Sequence, residues 1–286
     1  MTPLPQSDHR IEPVTLDPGA NVMSVDVEDW YHLSCADMTR WLLDLFDQKK
    51  ATATFFIVGV VAERMPDLIR EIHARGHEVA SHGWTHVPVH SLTPSQFLEH
   101  IVKSRNLLNA ITDAPVRGFR APLFSINRQC LWAFDVLAEA GIQYDSSIFP
   151  IVSSRYGIAN FPRQVVRYVR NGASVIEIPL STVRWAGLNW PVSGGGYFRL
   201  MPRWLIHRAV KAVSSGGRPF VVYCHPYEFA PQFLRHSPLY SPFSWQGSRR
   251  DEVKTNLFRG GMRRKLAGLL DSFTFSSFRE VLSHVV

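Results

Sequence analysis

From residue 21 to about 230, short apolar runs with strand character alternate with segments of helical period, and this rhythm limits the fold more than any single motif. "NVMSVDVEDW" reads as a strand and "DMTRWLLDLFDQKK" as an amphipathic helix. "ATFFIVGV" reads as a buried strand, and "AERMPDLIREIHARG" as a helix ending on Gly76, where a left-handed residue can cap it. "HEVASHG" is a short strand. "SLTPSQFLEHIVKSRNLLNAI" is a helix with Ser91 and Thr93 as capping candidates ahead of Pro94. "VRGFRAP", "NRQCLWAFDVLAEAG" and "IQYDSSIF" continue as strand, helix and strand. Such alternation predicts an α/β fold with a parallel sheet covered by helices, either open or closed into a barrel. Chemically active side chains then belong where strands end and helices have not begun.

After residue 150 the rhythm changes. "QVVRYVRNGASVIEIPLS" predicts a β-hairpin turning at Asn171-Gly172. "WPVSGGGYFRL" reads as a glycine-rich loop, "MPRWLIHRAVKAVSSGG" as a helix and "PFVVYCHPYEF" as a buried strand. A C-terminal helix over roughly 250–270 precedes "FTFSSFREVL". With no internal repeat or shift of composition, residues 21–286 are expected to form one domain. Residues 1–20, polar and proline-rich, are expected to be a flexible arm.

Hydrophobic residues make up 45% of the chain against 19% charged, enough for a substantial core. No run of 18 apolar residues is present, which excludes a spanning helix, and the first residues lack the apolar stretch of a secretory signal. Cys35, Cys130 and Cys224 are sparse, odd in number and without a CxxC pair, which argues for a reducing, cytoplasmic setting. The net charge of +7 favours anionic partners such as phospholipid head groups or acidic glycans. The densest basic stretches, "SRRDEVK" and "RGGMRRK", are expected on one face of the C-terminal helix, as ordinary solvated charge or as a membrane-facing surface. No nucleic-acid motif accompanies them.

The stretch "EVASHGWTHVPVH" sets His82, His86 and His90 at steps of four. In a chain with 12 histidines that spacing alone is weak, and His73 and His77 show it too. Their company is what matters. Asp26, Glu28 and Asp29 end the first strand, where extended geometry points Asp26 and Glu28 to one side and Asp29 to the other. Three carboxylates there repel one another unless a cation or proton relieves them, or unless they serve only as a helix cap and solvated acids. Arg120 ends the fourth strand, Asp145 lies on the fifth, and a later strand delivers His225 and Glu228. One carboxylate with two imidazoles suits a catalytic zinc or a related first-row ion. Asp26 is then free to take a proton from an attacking water, Arg120 would keep it ionised, and His225 could protonate a leaving amine.

The motifs "SVDVEDW", "ATFFIVG", "EVASHGWTH", "GFRAPLFS", "YDSSIFP", "SGGGYFRL" and "YCHPYEF" resemble, in order, those of the polysaccharide deacetylases of carbohydrate esterase family 4. The resemblance covers roughly residues 20–230 and is nearest to a branch with a D-V-E-D first motif. It implies a distorted (β/α) barrel with fewer than eight repeats. The implied activity is removal of an N-acetyl or N-formyl group from an amino sugar, with a divalent metal. It implies His82 and His86 as ligands, His90 outside the motif, Asp26 as base, Arg120 as its tether and His225 as acid. Asp145 matches loosely the aspartate that orients that histidine. The usual adjacent ligand is Val27 here, so the carboxylate is Glu28 by strand geometry or Asp29 through a bulge. Oxyanion contact is expected from backbone N–H near Pro122–Phe124. Tyr197, beside Gly194–Gly196, is a substrate-contact candidate, with a simple tight turn as the other reading. Residues 237–261 carry no clear family signature, and substrate choice is expected there. A biosynthetic precursor, lipid-linked or free, at the inner face of a membrane is the expected substrate. The alternatives are a metal-independent amidohydrolase acting on ureides or imides, and a non-catalytic glycan-binding module.

Overall fold

A computed structural model describes residues 9–17, 19–29, 31, 34–153, 156–170, 172–235 and 249–285. In chain order the elements are β1 (His9–Pro13), β2 (Asn21–Val27), α1 (Cys35–Lys49), β3 (Thr54–Ile57), α2 (Gly59–Arg64), α3 (Pro66–Ala74), β4 (Glu78–Ser81), α4 (Pro94–Thr112), β5 (Gly118–Phe119), α5 (Ala133–Glu139) and β6 (Tyr144–Asp145). They continue as β7 (Val166–Arg170), β8 (Ala173–Glu177), β9 (Thr182–Trp185), β10 (Leu188–Pro191), α6 (Gly195–Leu200), α7 (Arg203–Ser214), β11 (Phe220–Cys224), α8 (Arg249–Asn256), α9 (Met262–Leu270) and α10 (Phe278–Val281).

The main sheet has nine strands in the order β1-β7-β8-β6-β5-β4-β3-β2-β11, curled into a half-barrel with helices outside. Pairing is parallel from β8 through β6, β5, β4, β3 and β2 to β11. The outer strands β7 and β1 pair antiparallel. The alternation of β2 shows why the sheet curls around a polar centre. Met23, Val25 and Val27 pack under the outer helices, whereas Val22 faces the interior cluster with Phe56, Ala80, Val221 and Tyr223. Ser24 and Asp26 share the side of Val22, so a strand buried on both faces ends in a carboxylate. Phe278 of α10 fills the opposite end of the interior, packed on Phe56 and Tyr144, while its N–H donates to Thr54 Oγ1.

Several expectations are corrected. Residues 9–13, assigned to a flexible arm, form β1 on the edge of the main sheet; residues 1–8 lie outside the described residues. The expected helix over 62–76 is two, α2 and α3, broken at Met65 because Pro66 lacks an N–H and disfavours a helical residue before it. Thr93 caps α4 through a reciprocal box with Gln96, while Ser91 belongs to the preceding 3₁₀ turn. The hairpin at 166–177 forms, with Asn171 itself outside the described residues, and β9–β10 add a second hairpin that pattern reading passed over. The glycine-rich stretch is partly helix, α6.

The C-terminal helix is also two, α8 and α9, separated by left-handed Phe258 and by Gly260-Gly261. Its basic residues do not share one face. Arg259 is buried and donates to the carbonyls of Tyr227, Ala230 and Gln232; Arg263 stacks over Trp41; Lys265 donates to the carbonyls of Phe198 and Arg199. Of the stretch proposed for substrate choice, residues 237–248 lie outside the described residues.

Candidate active site

Strand β2 ends with the chain still extended, and Glu28 follows Asp26 into the interior. Its Oε1 lies 3.1 Å from His82 Nε2 and 2.9 Å from His86 Nε2. Ligand atoms of these three residues fall within 4.8 Å of one another, the one such cluster found among the described residues. His82 stands at the end of β4, and its Nδ1 lies 2.8 Å from the Arg120 carbonyl. With Nδ1 donating to that oxygen, Nε2 is the ring nitrogen turned toward Glu28.

His86 reaches the same point only because its backbone is left-handed (φ 60°), an uncommon conformation for a residue with a Cβ. The loop is held by α2, whose Gly59 and Val60 N–H groups donate to the carbonyls of Gly83 and Trp84. Trp84 in turn fills the space over Gly59 and carries the Lys103 ammonium on its outer face.

Asp29 points the other way, as strand geometry predicts. Its Oδ1 accepts from the Cys35 N–H at the start of α1, 3.2 Å away, and takes no part in the histidine cluster. Of the two acids, Glu28 is the one that meets the histidines. Burial alone would raise the Glu28 pKa, but the neighbouring His86 and His225, with the hydrogen bonds from His82 and His86, hold it well below the usual range. Burial lowers the pKa of His86 against the pull of Glu28, favouring the neutral ring a metal requires.

Asp26 is 2% exposed and its Oδ1 accepts from Arg120 Nη1 at 2.7 Å. Arg120 is fully enclosed. Its remaining donors reach Ser24 Oγ, Ser146 Oγ and the Ser146 carbonyl, and its guanidinium lies over the Phe56 ring. Seen from the sequence, Arg120 was legible; the two serines that fix its fork were not, because a serine in a strand carries no such signal.

His225 follows β11 and closes the opposite side, with Nε2 4.0 Å from Asp26 Oδ2 and 3.8 Å from Glu28 Oε1. Burial lowers its pKa, but Glu28, Glu228 and Asp26 together outweigh that and push it up to about 9. The group facing His225 Nδ1 is Glu228, 3.8 Å away. Asp145, expected in that place, instead accepts from the Ser147 hydroxyl and N–H and shares a hydrogen bond with the buried Glu177. Burial raises the pKa of both acids. Tyr227 stacks on His225 (centroids 4.8 Å, 20° between planes), and Tyr31 lies against Tyr227.

The remaining candidates are placed as follows. His90 is exposed and away from the cluster, and His77 is a buried core residue whose Nδ1 accepts from Ala53 N–H. Pro122 offers no N–H, and that of Phe124 donates to the Ala121 carbonyl, so the turn 122–124 leaves Leu123, itself left-handed, as its free candidate donor. Tyr197 bonds the Tyr156 hydroxyl and packs on Phe149 at the edge of the interior cluster. Gly194 is demanded by packing and not by a ligand: with φ 152°, a Cβ there would lie 1.9 Å from the Tyr223 carbonyl oxygen of β11. A cavity of about 80 Å³ opens beside Glu28, bordered by Tyr31, Cys35, Met38, Tyr227 and Leu234.

A curled parallel barrel with a carboxylate–imidazole cluster and a tethered second carboxylate at its carboxyl end is thus the class of protein defined here. Residues 16–144 match the polysaccharide deacetylase family model, and residues 146–283 match a domain of unknown function (DUF3473). A polysaccharide deacetylase domain thus occupies residues 16–144, a little under half of the chain. Both matched stretches contribute strands to the one main sheet.

A chitooligosaccharide deacetylase of Bradyrhizobium sp. (strain ANU 289) is 33% identical over 140 residues, covering 47% of this chain and 61% of that protein. A peptidoglycan-N-acetylglucosamine deacetylase of Bacillus cereus is 28% identical over 98 residues, 34% of this chain and 36% of its own length. The chain therefore spans less than two thirds of the curated relatives it matches. Among solved structures, a Mycobacterium smegmatis protein assigned as a polysaccharide deacetylase superposes with TM-score 0.61 at 17% identity, covering 96% of this chain and 93% of the other. A CE4 family pseudoenzyme of Bacillus anthracis superposes with TM-score 0.54 at 12% identity, covering 95% and 68%. The last likeness shows that fold alone does not decide activity; the side chains must.

Proposed function

We propose that the protein is a metal-dependent carbohydrate N-deacetylase, hydrolysing the N-acyl group of an amino sugar. One observation carries the reading: Glu28, His82 and His86 converge on one point, with His225 within 4.0 Å of both Glu28 and Asp26. The donor set fits a divalent cation of the zinc type, since two neutral imidazoles and one carboxylate leave open positions. A bound cation would polarise the amide carbonyl and make water easier to deprotonate.

The chain's own residues do the rest. Asp26, ion-paired with Arg120, takes the proton of the attacking water. His225, kept cationic by the carboxylates around it, gives a proton to the departing nitrogen. Glu228 faces Nδ1 of that ring at 3.8 Å, and Tyr227 stacks on its plane. Leu123 N–H is the backbone donor proposed for the developing oxyanion. The catalytic pair Asp26 and His225 would be idle in a mere glycan-binding module, and the complete Glu–His–His set argues against a metal-independent amidohydrolase.

The curated relatives' named substrates support N-acetylated amino sugars as the substrate class. Three buried free thiols support a reducing, cytoplasmic setting, and there a biosynthetic precursor is the substrate we propose. Metal analysis of the purified protein, paired with amine release from a panel of N-acylated sugars, tests the reading. Amine release that persists after complete chelation would sink it.

A further inference from the structure

The excess positive charge of this chain sits in one place. Residues 178–227 hold six Lys or Arg and no Asp or Glu, so this segment supplies six of the seven net charges. Four of the six, Arg184, Arg203, Arg208 and Lys211, are exposed. The same segment carries an unusual display of large apolar side chains. On the hairpin β9–β10, Trp185 is 68% and Trp190 48% exposed, with Leu188 open beside them; on the first turn of α7, Trp204 is 64% exposed and Leu205 lies next to it.

Hairpin and helix are neighbours. Val183 of β9 packs on the same apolar bed that holds Ile206 and Val210 of α7. Along α7, Trp204, Arg208, Lys211 and Ser215 recur on the exposed face at helical spacing. The hairpin is firmly built: left-handed Ala186 and Gly187 make its turn, Leu188 stands opposite Trp185, and Trp190 Nε1 donates to the Trp185 carbonyl.

We propose that hairpin β9–β10 and the outer face of α7 dock the protein on an anionic lipid bilayer. Indole rings partition to the boundary between head groups and acyl chains, leucines reach further in, and cations gather the acidic head groups. In the C-terminal helices Arg259, Arg263 and Lys265 are occupied internally, whereas the hairpin and α7 set four exposed cations beside three exposed indoles. A sugar-stacking platform fits less well. The two hairpin rings are inclined by 59° and present no common flat face. A glycan that gains amines would also be repelled by a cationic surface. A nucleic acid would use the cations but leave Leu188 and Leu205 unpartnered.

The test is co-sedimentation of the full chain with vesicles of phosphatidylcholine alone and of phosphatidylcholine with one part in three phosphatidylglycerol. Anionic vesicles should bind up to about 1,000-fold more tightly, given four cations near the surface. Most of that gain should vanish at 1 M salt, where screening shortens to about 3 Å. Trp185→Ser with Trp190→Ser should weaken anionic binding by about 10-fold or more. So should Arg208→Glu with Lys211→Glu, a second variant on an exposed helix face that leaves the hairpin intact. Unchanged melting temperature and circular dichroism certify both variants as folded.

Equal binding to neutral and anionic vesicles overturns the proposal, as does undiminished binding by both variants. So does a hairpin variant that keeps its vesicle affinity but loses affinity for soluble chitooligosaccharide, or one that merely converts a dimer to a monomer. The outcome is independent of whether the hydrolytic reading holds.

Discussion

Replacing Glu28 by Gln removes the charge at the point where His82 and His86 meet, while keeping the size of the side chain. Replacing Asp29 by Asn makes the same chemical change one residue on, where the carboxyl only accepts the Cys35 N–H at the start of α1. The two variants therefore separate the ligand from its neighbour. A metal at 100 times its dissociation constant stabilises the folded chain by about 2.7 kcal/mol, which for a protein of this size raises the melting temperature by about 5–8 °C. Loss of a ligand should weaken binding beyond the 10–100-fold typical of losing a supporting hydrogen bond. At a 100-fold weaker affinity and the same metal concentration, the stabilisation falls to about 0.4 kcal/mol, or about 1 °C. The assay is thermal unfolding of chelator-stripped protein with and without zinc, checked by metal content after desalting. Asp29→Asn should keep the full shift, because its amide oxygen still caps the helix and the cluster is untouched. A full shift in Glu28→Gln, or its loss in Asp29→Asn, would refute the assignment.

Asp26→Asn should retain metal and lose turnover by about 10²-fold or more, measured as amine release; near-normal rates would remove Asp26 from the mechanism. Glu228→Gln should depress kcat with little change in KM, whereas Asp145→Asn should act on stability, and a reversed pattern would restore Asp145 to the place the motifs suggest. His77 is 1% exposed and burial lowers its pKa from 6.5 to about 4, so the unfolded chain takes up its proton first as pH falls. Its contribution is complete above pH 6.5 and declines by at most about 3 kcal/mol towards pH 4; denaturant titrations should show His77→Phe flattening that slope. Gly194→Ala forces a Cβ against the Tyr223 carbonyl and should yield little folded protein, while a soluble variant of wild-type stability would contradict the packing described.

Much of the site could be read from local chain geometry. A strand of period two puts Asp26 and Glu28 on one side and Asp29 on the other, and that held because β2 stays extended to its end. His82 and Arg120 were legible because each closes an apolar run. His86 needed a left-handed backbone, which its spacing hinted at and nothing local required. Glu228 was visible beside His225 in "HPYE" yet was passed over for Asp145, because a 3₁₀ turn that folds a side chain back on its own strand leaves no periodic trace. The break between α8 and α9 was signalled by Gly260-Gly261 but hidden under a continuous run of basic residues.

The amino-acid order by itself determined the alternation of strand and helix, the polar residues at strand ends and the sign of the net charge, since each follows from neighbours a few positions apart. Only the tertiary structure decided which carboxylate meets the histidines and which cations are exposed. Those outcomes depend on how distant strands are brought side by side, and a parallel sheet joins residues whose separation in the chain carries no information about their distance in space.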